Sequence, residues 1–436
     1  MTKRYQNSGT FSPVQRRKVE VDFSGGDVTS DGGILLLSEV DRHLGLTKAI
    51  DKVIPDPRNP ELIVHKQLTL LRQRIFALAA GYEDLNDHSA LRQDVAFQTG
   101  VGQDATLASA PTLCRLENRT QKTTAFELHQ VLVEKFLASF RKPPHRLVLD
   151  FDATDCTVHG EQMGRHFSKY YDNYCFLPLY VFCGTQLLVG YLRPASRGAA
   201  YHAGAVLKLL VERLRQAWPH VQIILRGDSG FAIPRILSWC ERNQVDYIVG
   251  LAKNKVLLKR SERIHGLAEA CYGVEKKKQI LFSDFHYAAK SWNNERRIIV
   301  KAEHSEQGSN PRFLITSLMQ EPQYLYEKMY CMRGNMENRI KEQKCLFADR
   351  TSCHEWWPNQ FRLLLSGMAY TLVDALRRMA LQGTELANAQ VDTIRLKLFK
   401  IGGVVIRNTR RVRIMLSSAY PYQAIFSQAA TILNSG

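Results

Sequence analysis

Acidic residues in three separated stretches have the types and positions needed to gather a divalent cation. In LDFDATD, Asp150 and Asp152 stand two residues apart, which on a strand puts both on one face, with Asp155 in the loop beyond. In LRGDSGF, Asp228 sits where a strand ends and Gly227, Ser229 and Gly230 permit a tight turn. Glu337 lies in YCMRGNMENRIKEQK, a segment of helical spacing. Carboxylates that converge repel, and one takes up a proton unless a cation neutralises them. A pair of Mg²⁺ ions is the natural remedy, because magnesium prefers few carboxylates together with waters and phosphate oxygens. Two aspartates at strand ends and a glutamate on a later helix form the layout of two-metal phosphoryl transfer. Each acid also has a plainer reading: a strand-end Asp caps a turn, and Glu337 forms i, i+4 ion pairs with Arg333 and Lys341 on a solvated helix face.

At roughly 100° per residue, Tyr330, Arg333, Glu337, Lys341 and Lys344 share one stripe of that helix, and Met329, Met332, Met336 and Ile340 form an apolar stripe beside it.

The elements that must position these residues follow a recognisable order. RLVLDFDATDCTVHG alternates as a first strand; CFLPLYVFC and QLLVGYL are two more, joined as a hairpin by Gly184 and Thr185. A helix over 205–218, the strand VQIILRGD, the helix PRILSWCERN and the strand VDYIVGLA complete the run. Three antiparallel strands, then helix, strand, helix, strand, predict a mixed α/β sheet with helices on both faces, the order of the RNase H-like fold. In that order the first and fourth strands are neighbours, so Asp152 and Asp228 converge. Residues 253–321 alternate and predict a charged, β-rich stretch before the glutamate helix, and FRLLLSGMAYTLVDALRRMAL predicts a core helix.

Upstream, the first 26 residues read as a flexible basic lead, followed by helical segments over 31–46, 66–94 and 123–140. SAPTLCRLENR is a short amphipathic helix opened by Pro111 and Thr112. Arg115 and Arg119 would face outward together from it, as in a DNA-recognition helix; a plain surface helix is the alternative. The tail, IRLKLFKIGGVVIRNTRRVRIML, is basic and of β character. The expected organisation is a helical N-terminal DNA-binding region over 1–140, the catalytic core over 141–254 and 323–385, the β-rich insertion over 255–322, and a basic C-terminal region over 386–436.

The 436 residues carry 59 Lys and Arg against 42 Asp and Glu, a net charge of +17, spread along the whole chain. A polyanion is the partner such a balance selects, because neutralising phosphates releases counterions. Nine cysteines without a C-x-x-C pair argue for reduced thiols instead of a disulfide framework. Cys345, Cys353 and His354 lack an evident fourth zinc ligand. The polar N-terminus and the lack of a run of about eighteen apolar residues point away from secretion and membrane insertion. A cytoplasmic, nucleoid-associated protein is expected.

The spacing Tyr330, Arg333, Glu337, Lys344 resembles the Y-R-E-K signature of bacterial insertion-sequence transposases of the DDE class. SDGGILLLSEVDRHLGL, GYEDLNDH, PTLCRLENR, LDFDATDCTVHG, YYDNYCFLPLYVFCG, RGDSGF, MENRIKEQKCLFADRTSCH and TIRLKLFKIG resemble one branch of that group, the insertion-sequence 1380 family, over nearly the whole chain. The resemblance implies that Asp152, Asp228 and Glu337 are the catalytic, metal-binding triad, with Asp150 the alternative first ligand. It implies two Mg²⁺ ions, with Mn²⁺ an acceptable substitute. Tyr330, Arg333, Lys341 and Lys344 would contact DNA phosphates. The implied substrates are double-stranded terminal inverted repeats and target DNA, held by a homodimer on paired ends. Trp292 and Trp356 are candidates to stack on an extruded base, with core packing the plainer fate. A structure-selective nuclease without strand transfer and a non-catalytic DNA-binding descendant are the rival readings.

Overall fold

In the computed structural model, which describes residues 9–435, the alternating segments become a nine-stranded sheet within the unit Gln121–Gly367. Its main strands are β1 (Arg146–Ala153), β2 (Leu179–Cys183), β3 (Gln186–Tyr191), β4 (Gln222–Gly227), β5 (Asp246–Leu251), β6 (Gln279–Tyr287), β7 (Arg296–Ser305) and β8 (Arg312–Thr316). They lie in the order β6-β7-β8-β5-β4-β1-β2-β3, and Gly308–Ser309 pairs with β7. β1, β4 and β5 run parallel, while β2 and β3 form the antiparallel hairpin turned at Gly184. The order β3-β2-β1-β4-β5 is that of an RNase H-like core.

Residue parity sorts the two faces. Leu147, Leu149, Phe151, Ile223, Leu225, Tyr247 and Val249 point to one side, where they are buried with Phe136, Leu207, Leu214 and Leu237. These come from the helices Lys122–Ala138, Ala203–Ala217 and Pro234–Arg242. Val148, Ile224, Ile248, Ile299 and Leu314 point to the other side, beneath Leu325 and Met329. Burial on both faces explains why the parallel strands read as nearly continuous apolar runs. Asp150, Asp152 and Arg226 fall on the second side, the one that the glutamate segment covers.

That segment winds at three pitches: a short α turn (Pro322–Tyr324), a π stretch (Leu325–Tyr330) and a 3₁₀ turn (Cys331–Arg333) lead into the α-helix Gly334–Cys345. The change of pitch explains a departure from the expected apolar stripe. Met329, Met336 and Ile340 are buried, but Met332, on the 3₁₀ turn, is 48% exposed. A π turn holds an extra residue and a 3₁₀ turn fewer, so positions either side of the join do not keep a 3.6-residue track.

The expected β-rich insertion differs in two ways. Two helices, Lys255–Arg260 and Glu262–Glu275, precede its strands, and β6, β7 and β8 extend the central sheet from β5.

The second unit, Met1–Thr120 with Met368–Gly436, holds the helices Ile34–Leu44, Leu46–Val53, Gln67–Ala80, Val95–Val101 and Ala110–Asn118. It also holds a small sheet of Asp27–Thr29, Gly403–Asn408 and Arg411–Leu416. Residues 1–8 of the expected flexible lead lie outside the described residues. The rest of the lead is not featureless, since Gly9–Val14 and Arg17–Val21 pair as a hairpin. The tail is also only partly β. IRLKLF is helical, with Ile394, Leu398 and Phe399 buried at i, i+4 and i+5, and Gln423–Asn434 forms a last helix. Among the described residues, no helix is long and apolar enough to cross a membrane.

Leu325 is fully buried where the glutamate segment meets the sheet. Leu325→Ala is expected to cost about 2–5 kcal/mol in chemical denaturation of the full chain. A loss below about 0.5 kcal/mol, the size of an ordinary surface substitution, would show that this packing does not hold the segment down.

Candidate active site

Strand register builds the site. β1 and β4 are parallel with Asp150 opposite Arg226 and Phe151 opposite Gly227, so the next positions along the same track are Asp152 and Asp228. Neighbouring strands are about 4.8 Å apart, which brings the two aspartates alongside each other on the face covered by the glutamate segment. Asp228 begins a turn at the strand end, and its Oδ1 accepts from Gly230 N at 2.9 Å, so the capping role and the approach to Asp152 coexist.

Arg333 joins the third acid to this pair. Its Nη1 donates to Asp152 Oδ2 at 2.8 Å and its Nη2 to Glu337 Oε1 at 3.2 Å. Burial pushes the Asp152 carboxyl up to about 6; Arg333 opposes the shift, and the charges of Asp228 and Glu337 add to it. Three carboxylates thus share one electrostatic neighbourhood with a single guanidinium between two of them. Asp152 is nearly buried, whereas the Glu337 side chain is 57% exposed, so the site opens on the glutamate's side. Among the described residues, no three His, Cys, Asp or Glu side chains lie close enough together to hold a metal ion as they stand.

Asp150 is differently employed. Arg226 Nε and Nη2 donate to its two oxygens at 2.5 and 2.7 Å, and Arg226 Nη1 donates to the Met329 carbonyl at 2.5 Å. This buried fork ties β1, β4 and the π stretch together, fixing where the helix bearing Glu337 begins. Tyr330 adds a second constraint. A Cβ on Gly250 of β5 would lie 2.8 Å from the Tyr330 hydroxyl and 2.9 Å from Ser229 N, so only glycine lets ring, strand and aspartate turn meet. Burial raises the Tyr330 phenol, with Asp228 adding to it and Arg333 opposing.

The other sequence candidates are placed as follows. Lys344 Nζ bonds Asp155 Oδ1 at 3.1 Å, beside the first strand's end, and Lys341 is exposed on the helix. Trp292 lies between β6 and β7, edge-on to Tyr287 at 5.3 Å with the Arg296 guanidinium 5.2 Å over its ring. Trp356 packs on Phe176 at 5.2 Å and against Gly164. In the other unit Arg115 is exposed, but Arg119 does not face outward with it. The helix ends at Asn118, and Arg119 turns back to Asp56 at 3.0 Å and to Gln67.

Sequence reasoning missed Arg226, Gly250 and Tyr171, whose phenol is pushed up to about 12 by burial and by Asp155, Tyr170 and Asp152. Only Arg226 left a trace: a lone arginine in the apolar strand QIILRG must have a buried acid partner.

A five-strand core in RNase H-like order, with acids at the ends of its first and fourth strands and on a covering helix, defines a class of nucleic-acid-acting folds. The chain matches the family described as Transposase DDE domain group 1 over residues 11–435, and it belongs to that family, whose members act on DNA. Among solved structures it is similar to one described as a cryo-EM structure of a piggyBac transposase synaptic complex with hairpin DNA. That likeness has a TM-score of 0.41 and 10% identity, covering 85% of this chain and 79% of the other. No curated protein sequence matches it.

The two aspartates of LDFDATD should separate by stability. Asp150→Asn leaves Arg226 buried without its charge partner and is expected to cost about 3–5 kcal/mol in chemical denaturation. Asp152→Asn loses the bond from Arg333, which keeps Glu337, but removes a charge that burial disfavours and that Asp228 and Glu337 repel, so it is expected to cost less than about 1 kcal/mol or to stabilise. Equal losses would contradict this division.

Proposed function

We propose that this chain is an insertion-sequence transposase of the insertion-sequence 1380 kind, which cleaves at the ends of a mobile element and joins the freed 3′-hydroxyl to target DNA. Asp152, Asp228 and Glu337 are the catalytic residues in this reading. The observation that carries it is the gathering of these three acids, from two strand ends and one helix, around Arg333. Their donor set suits a hard divalent cation: carboxylate oxygens only, crowded enough to need positive charge, and open to solvent at Glu337. Two Mg²⁺ ions, or Mn²⁺, held by these residues would supply an activated water and charge stabilisation at the leaving oxygen.

The chain's own side chains do the rest. Asp152 is preferred to Asp150 as first ligand because both oxygens of Asp150 are occupied by Arg226. Arg333 balances the acids, and its fork of donors suits a phosphate at the scissile position. Tyr330, beside Asp228, and Lys341 and Lys344, along the same helix, would hold the DNA backbone where the carboxylates face it. No side chain needs to become covalently attached, since water and then a 3′-hydroxyl are the nucleophiles. Trp292 and Trp356 serve as packing residues here, given their contacts with Tyr287 and Phe176. Two ends must be brought together for productive joining, so a homodimer on paired DNA is expected.

Incubating the full chain with Mg²⁺ and labelled duplexes from the borders of the DNA that encodes it tests the reading. Cleavage followed by 3′-end joining to a second DNA is expected; cleavage with no joining would make the protein a nuclease instead. Glu337→Gln should still bind these ends but no longer cut them, and undiminished cutting would remove Glu337 from the site.

A further inference from the structure

We propose that the ribbon formed by Gly403–Asn408 and Arg411–Leu416 is a duplex-DNA contact in its own right, outside the carboxylate site. No Asp or Glu follows Asp392, while Arg395, Lys397, Lys400, Arg407, Arg410, Arg411 and Arg413 do. Four of these cations are engaged. Arg395 donates to the Ala79 carbonyl, Lys397 pairs with Glu385, Lys400 with Asp31 and Arg407 with Asp104. Arg410, Arg411 and Arg413 are exposed, with no ion-pair partner among the described residues.

The ribbon's pairing aims two of them the same way. Val405 turns inward onto Val95 and Ala96, anchoring the sheet. By alternation Val404, Ile406 and Asn408 face outward, and their partners opposite are Met415, Arg413 and Arg411. Ile406 is 51% exposed and Val404 40%. Asn408 Oδ1 accepts from the backbone N–H groups of Arg410 and Arg411, both at 3.0 Å, which fixes the turn and holds Arg410 at its tip. Asp27–Thr29 pairs only with Gly403–Val405, so beyond Val405 the sheet narrows to a two-stranded ribbon, cationic at its tip, with Ile406 opposite Arg413 on its outward face. A two-stranded ribbon is narrow enough to enter the major groove of B-form DNA, where aliphatic groups can meet thymine methyls and arginines can reach phosphates and base edges. The short helix Ala110–Asn118 is less well supplied, since Arg119 is tied to Asp56 and Gln67.

This inference rests on DNA being the substrate, but it is tested without catalysis. Binding of the full-length protein to a short random-sequence duplex would be followed by fluorescence anisotropy over a range of salt, with divalent metal chelated. The proteins compared are the wild type, Arg410→Ala/Arg411→Ala/Arg413→Ala, and a control, Lys48→Ala/Lys52→Ala, which removes exposed cations elsewhere in the same unit. The triple variant should melt like the wild type and bind more weakly. Its slope of log affinity against log salt should be shallower by about 2–3, the loss expected for three phosphate contacts. The control should keep the wild-type slope. An unchanged slope in the triple variant, or an equal flattening in the control, would overturn the proposal. So would a triple variant that binds DNA normally but no longer self-associates, which would assign the ribbon to a second copy of the chain. The assay contains no free divalent metal and reads no cleavage, so a failure of the catalytic reading leaves this result intact.

Discussion

The parallel pairing of β1 with β4 is the constraint on which the site depends. Setting Asp150 against Arg226 and Phe151 against Gly227 leaves Asp152 and Asp228 as the next pair, on the face where the glutamate segment lies. A slip of β1 by one residue would turn Asp150 and Asp152 into the opposite core, among Leu225 and the helices packed there, and away from Asp228. The apolar residues between the acids make that slip costly. Phe151 is 1% exposed and stacks edge-on with Phe231, just past the Asp228 turn. The core that stabilises the sheet therefore also specifies the spacing of the acids.

Asp150 and Arg226 translate that register into the third dimension. Both are buried charges, and desolvating them is tolerable only because the fork is bidentate and a third guanidinium nitrogen is satisfied by the Met329 carbonyl. The same ion pair therefore sets where the glutamate segment leaves the sheet. From there the π stretch and the 3₁₀ turn adjust the rotation so that Arg333 reaches Asp152 while Met336 and Ile340 stay buried.

The strand order from Arg146 to Leu251 is legible in the sequence because an alternating first strand, short apolar runs, a two-residue turn at Gly184 and Thr185, and helices of ordinary length leave few other arrangements. The nearness of Asp152 to Asp228 follows from that order. Other features are set by tertiary contacts that leave little local trace. The helix Glu262–Glu275 hides in a charged stretch with only Ala268 fully buried, so its apolar periodicity is faint. The pitch changes at Leu325–Arg333 are invisible to any fixed-period reading, which is why Met332 seemed to belong with Met329 and Met336. Arg119 looked like an outward partner of Arg115 because spacing alone cannot foresee that the helix stops at Asn118 and that Asp56, sixty-three residues earlier, waits for the guanidinium.

Charge is arranged as well as abundant. Around the three carboxylates Arg333 and Lys344 are paired and partly buried, whereas Arg410, Arg411 and Arg413 of the C-terminal ribbon are exposed with no ion-pair partner among the described residues, which separates neutralising a site from attracting a polyanion. The central claim is that Asp152, Asp228 and Glu337 bind a divalent ion together. Fe²⁺ substituted for Mg²⁺, with ascorbate and peroxide, cuts a polypeptide beside the bound metal, and the fragments can be mapped by mass. Cuts clustered near residues 152, 228 and 337, suppressed by excess Mg²⁺ and lost in Asp152→Asn, are the predicted result. Cuts elsewhere, or the same cuts in that variant, would contradict the account.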